Sequence, residues 1–210
     1  MDLSYWLLNL LWAAIGGFLG TLIALWVSTY QEAHFVIEAA DKWNADITYS
    51  PPNWQAGHRW KFFRVQVQNR PVIGPLRWLI HRATAEQVSA RVVCTDVGWS
   101  MRGRWSGTLE LPNASPFDLW RLANFPEPTT IAAGSGEILD VFVKAQGDAG
   151  AYGWNNEGYL HQWRPPHYPL APGTHTIEVE VTALNGSHKR QKLVATVRAG
   201  VDECRLERPR

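Results

Sequence analysis

The chain has 210 residues, a formal net charge of +1, two cysteines and twelve tryptophans. Its length suits one globular domain beyond a short N-terminal segment. The near-zero charge gives no electrostatic basis for binding nucleic acid. Cys94 and Cys204 lie far apart in the chain and no zinc-ligand spacing occurs, which excludes a disulfide scaffold or a zinc ribbon.

The first predicted element is a transmembrane helix at residues 5–27, which would place the chain in a lipid bilayer. This stretch carries no charged side chain, and its 23 residues would form a helix about 35 Å long, enough to cross a hydrocarbon core of about 30 Å. Aromatic residues flank it: Tyr5 and Trp6 at one end, Trp26 and Tyr30 at the other. A cleaved signal peptide fits less well, because no Lys or Arg precedes the apolar run and the run is too long.

Small residues follow one face of this helix at spacings of three and four. The face comprises Asn9, Ala13, Gly16, Gly17, Gly20 and Ala24. Small side chains let two helices approach closely, and an amide can hydrogen bond across such a contact. Gly and Ala are also common in membrane helices without any such role. Our hypothesis is a homo-oligomer formed through this face.

The distribution of basic residues indicates on which side of the membrane the domain lies. No Lys or Arg precedes the span, and Lys42 is the one that falls near its other end. The positive-inside rule therefore favours a cytoplasmic domain. We divide the chain into an anchor at 1–28, a junction at 29–33, a β domain at 34–198 and a flexible charged tail at 199–210.

Alternation of apolar and polar residues predicts the strands of the domain. The main strands are expected at 34–40, 60–69, 88–95, 138–145, 175–183 and 193–197, with shorter ones at 47–49, 99–111 and 129–133. In the strand at 138–145, alternation places Asp140, Phe142 and Lys144 on one face, and Leu139, Val141 and Val143 on the other. Residues 113–127 are expected to be irregular, and 70–85 to be a loop with one helical turn.

The last hairpin permits a prediction of strand register. A two-residue turn at Asn185-Gly186 would pair Val179 with Lys192 and direct charges into the core. A shift of one residue pairs Val179 with Leu193 instead. We therefore predict a three-residue connection at residues 185–187, or an equivalent bulge.

Many short strands without repeating helices indicate a mainly β fold, an antiparallel β-sandwich with long loops. Four stretches resemble bacterial immunoglobulin-like modules of the cell-adhesion-related kind: RVQVQN, ATAEQVSARVV, IAAGSGEILDVFV and APGTHTIEVEV, at residues 64–69, 83–93, 131–143 and 171–181. The chain is also similar to single-pass membrane proteins that carry such a domain. This resemblance implies an immunoglobulin-like fold and an anchor only, because function does not follow from fold. The long loops at 70–85, 99–127 and 147–173 depart from the family pattern.

The loop at residues 152–168 contains the densest group of aromatic, amide and carboxylate side chains. Its candidate ligand-binding residues are Trp154, Asn155, Asn156, Glu157, Tyr159, His161 and Trp163. Flat rings beside amides suit a carbohydrate or a peptide segment. The alternative, which we favour, is that the rings pin a long loop onto the sandwich.

No other motif predicts chemistry. Glu157, His161 and His167 match no established zinc spacing, so neither a metal nor a cofactor is expected. The basic run His188, Lys189, Arg190 and Lys192 is expected to be a solvated strand face, with contact to anionic lipid as the functional alternative. We expect a non-catalytic protein that binds or scaffolds another protein at the membrane, with a carbohydrate- or peptide-binding module as the second hypothesis.

Overall fold

The structure is a computed structural model that describes residues 3–49, 58–78, 80–107, 121 and 127–209. The predicted irregular segment at 113–127 and the end of the predicted strand at 99–111 lie largely outside these residues.

One helix, α1, spans Leu3–Gln31 and is long and apolar enough to cross a membrane. The side chains from Trp6 to Trp26 are exposed, so the helix does not pack on the β domain. The hydroxyl of Thr21 donates to the carbonyl of Gly17 one turn earlier, which satisfies the hydroxyl within the helix. The helix continues into the predicted junction at 29–33 and ends at Gln31, later than predicted.

Thirteen strands of the described residues form two antiparallel sheets. The first sheet contains β1 (Phe35–Ala39), β2 (Ala45–Tyr49), β3 (His58–Asn69), β6 (Arg104–Trp105), β8 (Gly136–Ala145), β9 (Ala151–Gly153) and β10 (Pro169–Leu170). The second contains β4 (Ala85–Cys94), β5 (Trp99–Arg102), β7 (Thr129–Ile131), β11 (Gly173–Thr182), β12 (His188–Val197) and β13 (Arg205–Glu207). The predicted helical turn in the loop at 70–85 is a 3₁₀ turn at Pro75–Trp78.

The main core lies between the two sheets. In the first sheet, β3 and β8 are central and adjacent, with β1 beyond β3 and β9 and β10 beyond β8; in the second, the order is β13-β12-β11-β4-β5. Alternate residues of β3 (Phe63, Val65 and Val67) and of β11 (Ile177 and Val179) belong to the same buried apolar cluster. Each fully buried side chain of this kind contributes about 1.5–3 kcal/mol. The predicted mainly β, two-sheet antiparallel fold is therefore confirmed.

A β-bulge in β8 contradicts the predicted faces of that strand. Phe63 pairs with Phe142 and the next residue, Arg64, pairs with Asp140, so Val141 is an extra residue. The bulge reverses the alternation. As a result Leu139 and Phe142 both lie in the inter-sheet core, whereas Asp140 lies on the opposite side of the sheet. Strict alternation was the wrong assumption here.

The β11–β12 hairpin differs from its predicted register by two residues. Leu193 pairs with Ile177, and Val179 pairs with Gln191. The connection does have three residues, Leu184 to Gly186, because the Ala183 N–H donates to the Ser187 carbonyl at 2.8 Å. A shift of two residues keeps the apolar side chains on the core face. The predicted faces of β11 and β12 were therefore right, and the predicted residue pairs were wrong.

The predicted flexible tail at 199–210 is instead part of the sandwich. Strand β13 pairs with β12, and Val201, Cys204 and Leu206 are buried. Arg208 donates to the carbonyl of Ile37 in the other sheet at 2.8 Å. Three buried side chains at a spacing of two to three residues outweigh the charges between them, and the tail closes one side of the sandwich.

Candidate functional site

The aromatic loop forms a third layer on the outer face of the first sheet. Trp60 and Phe62 of β3 point away from the inter-sheet core, because they alternate with its residues. Trp154 and Trp163 cover them. The ring centroids of Trp154 and Phe62 lie 5.2 Å apart, as do those of Trp163 and Trp60, both in edge-to-face geometry. This second apolar cluster holds the loop on the domain.

Backbone geometry and ion pairs fix the loop further. Residues Asn156–His161 form a 3₁₀ helix, which ends at Gln162 with a φ of 51°, and Trp163 follows with a φ of 67°. Arg164 donates two hydrogen bonds to Asp148 at 2.7 and 2.9 Å, and its guanidinium lies 4.8 Å from the Trp60 ring centroid. The loop is therefore built as a packed element.

Four of the seven predicted ligand-binding residues are buried. Trp154 and Trp163 are 1% and 6% exposed, and Asn155 and Asn156 are also buried. A ring enclosed by protein has no free face on which a sugar could stack. The packing alternative accounts for these four side chains, and they are not open to a ligand in this structure.

The two buried amides have structural partners. The side-chain oxygen of Asn155 accepts from the Glu157 N–H at 2.9 Å and caps the 3₁₀ helix. The side-chain oxygen of Asn156 accepts from Arg104 Nε at 2.8 Å. Asn155 therefore pairs with a backbone N–H of the loop, and Asn156 pairs with a side chain of the sheet beneath it.

A buried charge network lies under the loop. The carboxylate of Asp140, which is fully buried, accepts from Arg64 Nε at 2.6 Å and from Arg104 Nη1 at 2.7 Å. Arg104 also donates from Nε to the side-chain oxygen of Asn156 and from Nη2 to the Tyr159 hydroxyl, the latter at 3.4 Å. A carboxylate between two guanidinium groups is well paired, and losing one member would leave an uncompensated buried charge. Sequence patterns did not reveal this network, because its members come from four distant segments.

The solvent side of the loop carries the rest of the predicted site. Glu157, Tyr159 and His161 are partly exposed. The Nε2 atoms of His161 and His167 lie 3.6 and 3.7 Å from the same Glu157 oxygen. Burial, and then the Glu157 charge, raise the pKa of Tyr168 to about 12. Within the described part of the chain, no group of three His, Cys, Asp or Glu side chains could hold a metal.

The connection between helix and domain is a second feature that sequence reasoning missed. Asn69 ends β3 and is fully buried. Its side-chain oxygen accepts from the His34 N–H at 3.0 Å, and its amide donates to the carbonyls of Ala83 and Ile131 at 2.9 and 3.2 Å. One side chain thereby connects the residue before β1, the loop that precedes β4 and the end of β7. The Ala83 N–H also donates to the carbonyl of Gln31, the last helical residue, at 2.6 Å.

The small-residue face of α1 is open along its glycines. A Cβ atom added at Gly16, Gly17 or Gly20 would meet no other atom within 4 Å. No residue of the β domain that the structure describes covers this face. The association hypothesis for Asn9, Ala13, Gly16, Gly17, Gly20 and Ala24 therefore stays a prediction.

Comparisons with known proteins return no relatives. No protein-family model matches the chain, and no curated protein or solved structure is significantly similar to it. The resemblance to immunoglobulin-like modules thus stays a sequence-based expectation.

Proposed function

We propose that the chain is a single-pass membrane protein whose β-sandwich serves as a non-catalytic protein-interaction or scaffold module beside the bilayer. The observation that carries this proposal is the combination of an exposed, uncharged helix of 29 residues with hydrogen bonds that join its C-terminal end to the domain. Leaving so many large apolar side chains in water would be costly, whereas a hydrocarbon core accommodates them.

The second sheet offers the surface for a protein partner. The loop at 152–168 packs on the outer face of the first sheet, but polar side chains lie exposed or partly exposed on the outer face of the second. These line a concavity of about 680 Å³: Ser89, Arg91, Ser100, Arg102, Glu180 and Thr182. Arg91 Nε donates to the Ser100 hydroxyl at 2.7 Å, which orders part of the surface. An open concavity with several polar side chains suits a protein more than a small apolar ligand.

Site-specific photo-crosslinking in intact membranes tests this assignment. A photoreactive residue at Arg102 of the full-length chain should yield a discrete cross-linked protein. The matched control is Gln162, an exposed position on the aromatic loop. Cross-linking from Gln162 but not from Arg102 would favour the alternative, a carbohydrate- or peptide-binding module. That alternative has less support, because its two tryptophans are buried.

Membrane anchoring and sidedness are tested separately. The full chain should stay with membranes through alkaline carbonate extraction. A C-terminal reporter that is active only in the cytoplasm should be active, because the positive-inside rule favours a cytoplasmic domain. Release by carbonate would refute the anchor, and an inactive reporter would refute the sidedness.

Self-association through the helix is part of the same proposal. Replacing Gly16 and Gly20 by Leu would fill the open face and should weaken a helix-association reporter signal. Phe18→Leu, a change on another face, is the control. An unchanged signal in the glycine variant would argue against the homo-oligomer.

A further inference from the structure

We infer that the end of the β-sandwich nearest the helix is a lipid-contact surface, which lies on anionic headgroups of the bilayer that α1 crosses. We call this surface the membrane-proximal face and define it by Ile73, Arg77, Trp78, Arg82, Leu184 and Lys189. The inference rests on the proposed membrane anchoring and adds a specific partner for one end of the domain.

Hydrogen bonds to the helix end place this face at headgroup depth. The Ala83 N–H donates to the Gln31 carbonyl, and Arg82 Nη1 donates to the Glu32 carbonyl at 2.7 Å. From Val27, the end of the predicted span, four helical residues advance about 6 Å. The headgroup layer on each side of a bilayer is about 5–8 Å thick. The loop that precedes Ala83 therefore meets the helix within that layer.

The hairpin between β11 and β12 lies at the same end. The Leu184 N–H donates to the Glu86 carbonyl at 2.9 Å, and the Asn185 amide donates to the Thr84 carbonyl at 3.0 Å. Both acceptors lie within three residues after Ala83 in the chain. The tip of the hairpin is thus held beside the helix end.

Exposed apolar side chains concentrate on this face. Among the described residues outside α1, the large hydrophobic side chains that are exposed are Ile73 at 79%, Trp78 at 75%, Leu184 at 67% and Val97 at 45%. The first three lie on the membrane-proximal face. Val97 follows β4, whose ten residues run about 30 Å from Ala85 beside the helix end to Cys94. An exposed Trp beside aliphatic side chains is typical of protein that sits at a membrane interface.

Positive charge accompanies these side chains, with Glu32 and Glu86 as acidic residues at the same end. Arg77, Arg82 and Lys189 form no ion pair with the described residues, whereas Arg70 pairs with Glu38 at 3.1 Å. Arg77, Trp78 and Arg82 border a cavity of about 600 Å³ beside the loop that precedes Ala83. Burial, followed by the charges of Arg82, Lys189 and Arg70, lowers the pKa of His34, the residue before β1. Anionic lipid attracts such juxtamembrane cations.

Lipid-borne quenching in the reconstituted full-length chain tests the inference. Both native cysteines are buried, so a fluorophore can be attached selectively to an introduced cysteine. Probes at Ile73→Cys and Leu184→Cys should be quenched by spin-labelled lipid, and more strongly when part of the phosphatidylcholine is replaced by phosphatidylglycerol. Val97→Cys is the matched exposed control at the far end of the sheet, and Leu19→Cys reports insertion of the helix.

The outcomes separate the two proposals. Quenching at Ile73→Cys no greater than at Val97→Cys, with strong quenching at Leu19→Cys, overturns the lipid-contact face and leaves the anchor intact. Absence of quenching at Leu19→Cys refutes the anchor itself and the face with it. Charge reversal of Arg77 and Lys189 to Glu should reduce quenching in the anionic vesicles only, whereas Arg91→Glu, on the outer sheet face, should not. Equal quenching in neutral and anionic vesicles overturns the role of charge.

Discussion

Replacing Asn69 by Ala should destabilise the domain strongly, because the side chain is buried and fully engaged. The change removes three hydrogen bonds, to the His34 N–H and to the carbonyls of Ala83 and Ile131. At about 1 kcal/mol for each bond, plus about 1–3 kcal/mol for a buried group left unsatisfied, the loss is about 4–6 kcal/mol. For a domain of this size, this corresponds to a melting temperature lowered by roughly 8–24 °C.

Thermal unfolding of the full-length chain in mild detergent, followed by near-UV circular dichroism, measures the loss. Asn185→Ala is the matched control, because that amide makes one exposed hydrogen bond and should cost at most about 1 kcal/mol. Amide hydrogen exchange adds a local readout, since the His34 N–H should exchange faster in Asn69→Ala. If the free energy of unfolding of Asn69→Ala lies within about 1 kcal/mol of the wild-type value, the role assigned to Asn69 is refuted.

Three further predictions address the aromatic loop, the buried charges and the pH dependence. Gly158→Ala would force a methyl group against the Trp154 ring and should lower the free energy of unfolding by about 1–3 kcal/mol. In a Trp154→Leu background the same change should cost much less, and equal costs in the two backgrounds of this double-mutant cycle would contradict the packing. Asp140→Asn should cost about 3–5 kcal/mol in urea unfolding, because two guanidinium groups lose their buried counter-charge; a cost below about 1 kcal/mol would show that the network is dispensable. The pKa of His34 is lowered from its ordinary value of 6.5, so the unfolded chain binds the proton more readily, and stability should fall as the pH drops below 6.5 towards the folded pKa. His34→Gln should flatten that part of the stability profile, and an unchanged profile would argue against the assignment.

For the aromatic loop, residue types alone were not sufficient to predict the role of the side chains. A cluster of tryptophans and amides suits either a binding surface or a packed loop, and the two cannot be separated without knowing what lies beneath the rings. Trp60 and Phe62 decide the matter, because they occupy the outer face of β3 and need cover. The charge network around Asp140 could not be predicted from the sequence either, because its partners meet only after the sheet has formed.

Local regularities of the sequence determined the two largest features of this protein. An uncharged run of 23 residues is sufficient to predict a membrane-length helix, and period-two alternation is sufficient to predict most strands, because both depend on neighbouring residues alone. The tertiary structure decided the bulge at Val141, the hairpin register, the strand at Arg205–Glu207 and the role of Asn69. Each of these depends on a partner distant in the chain, and the free energy of burying or pairing that partner does not appear in any local pattern.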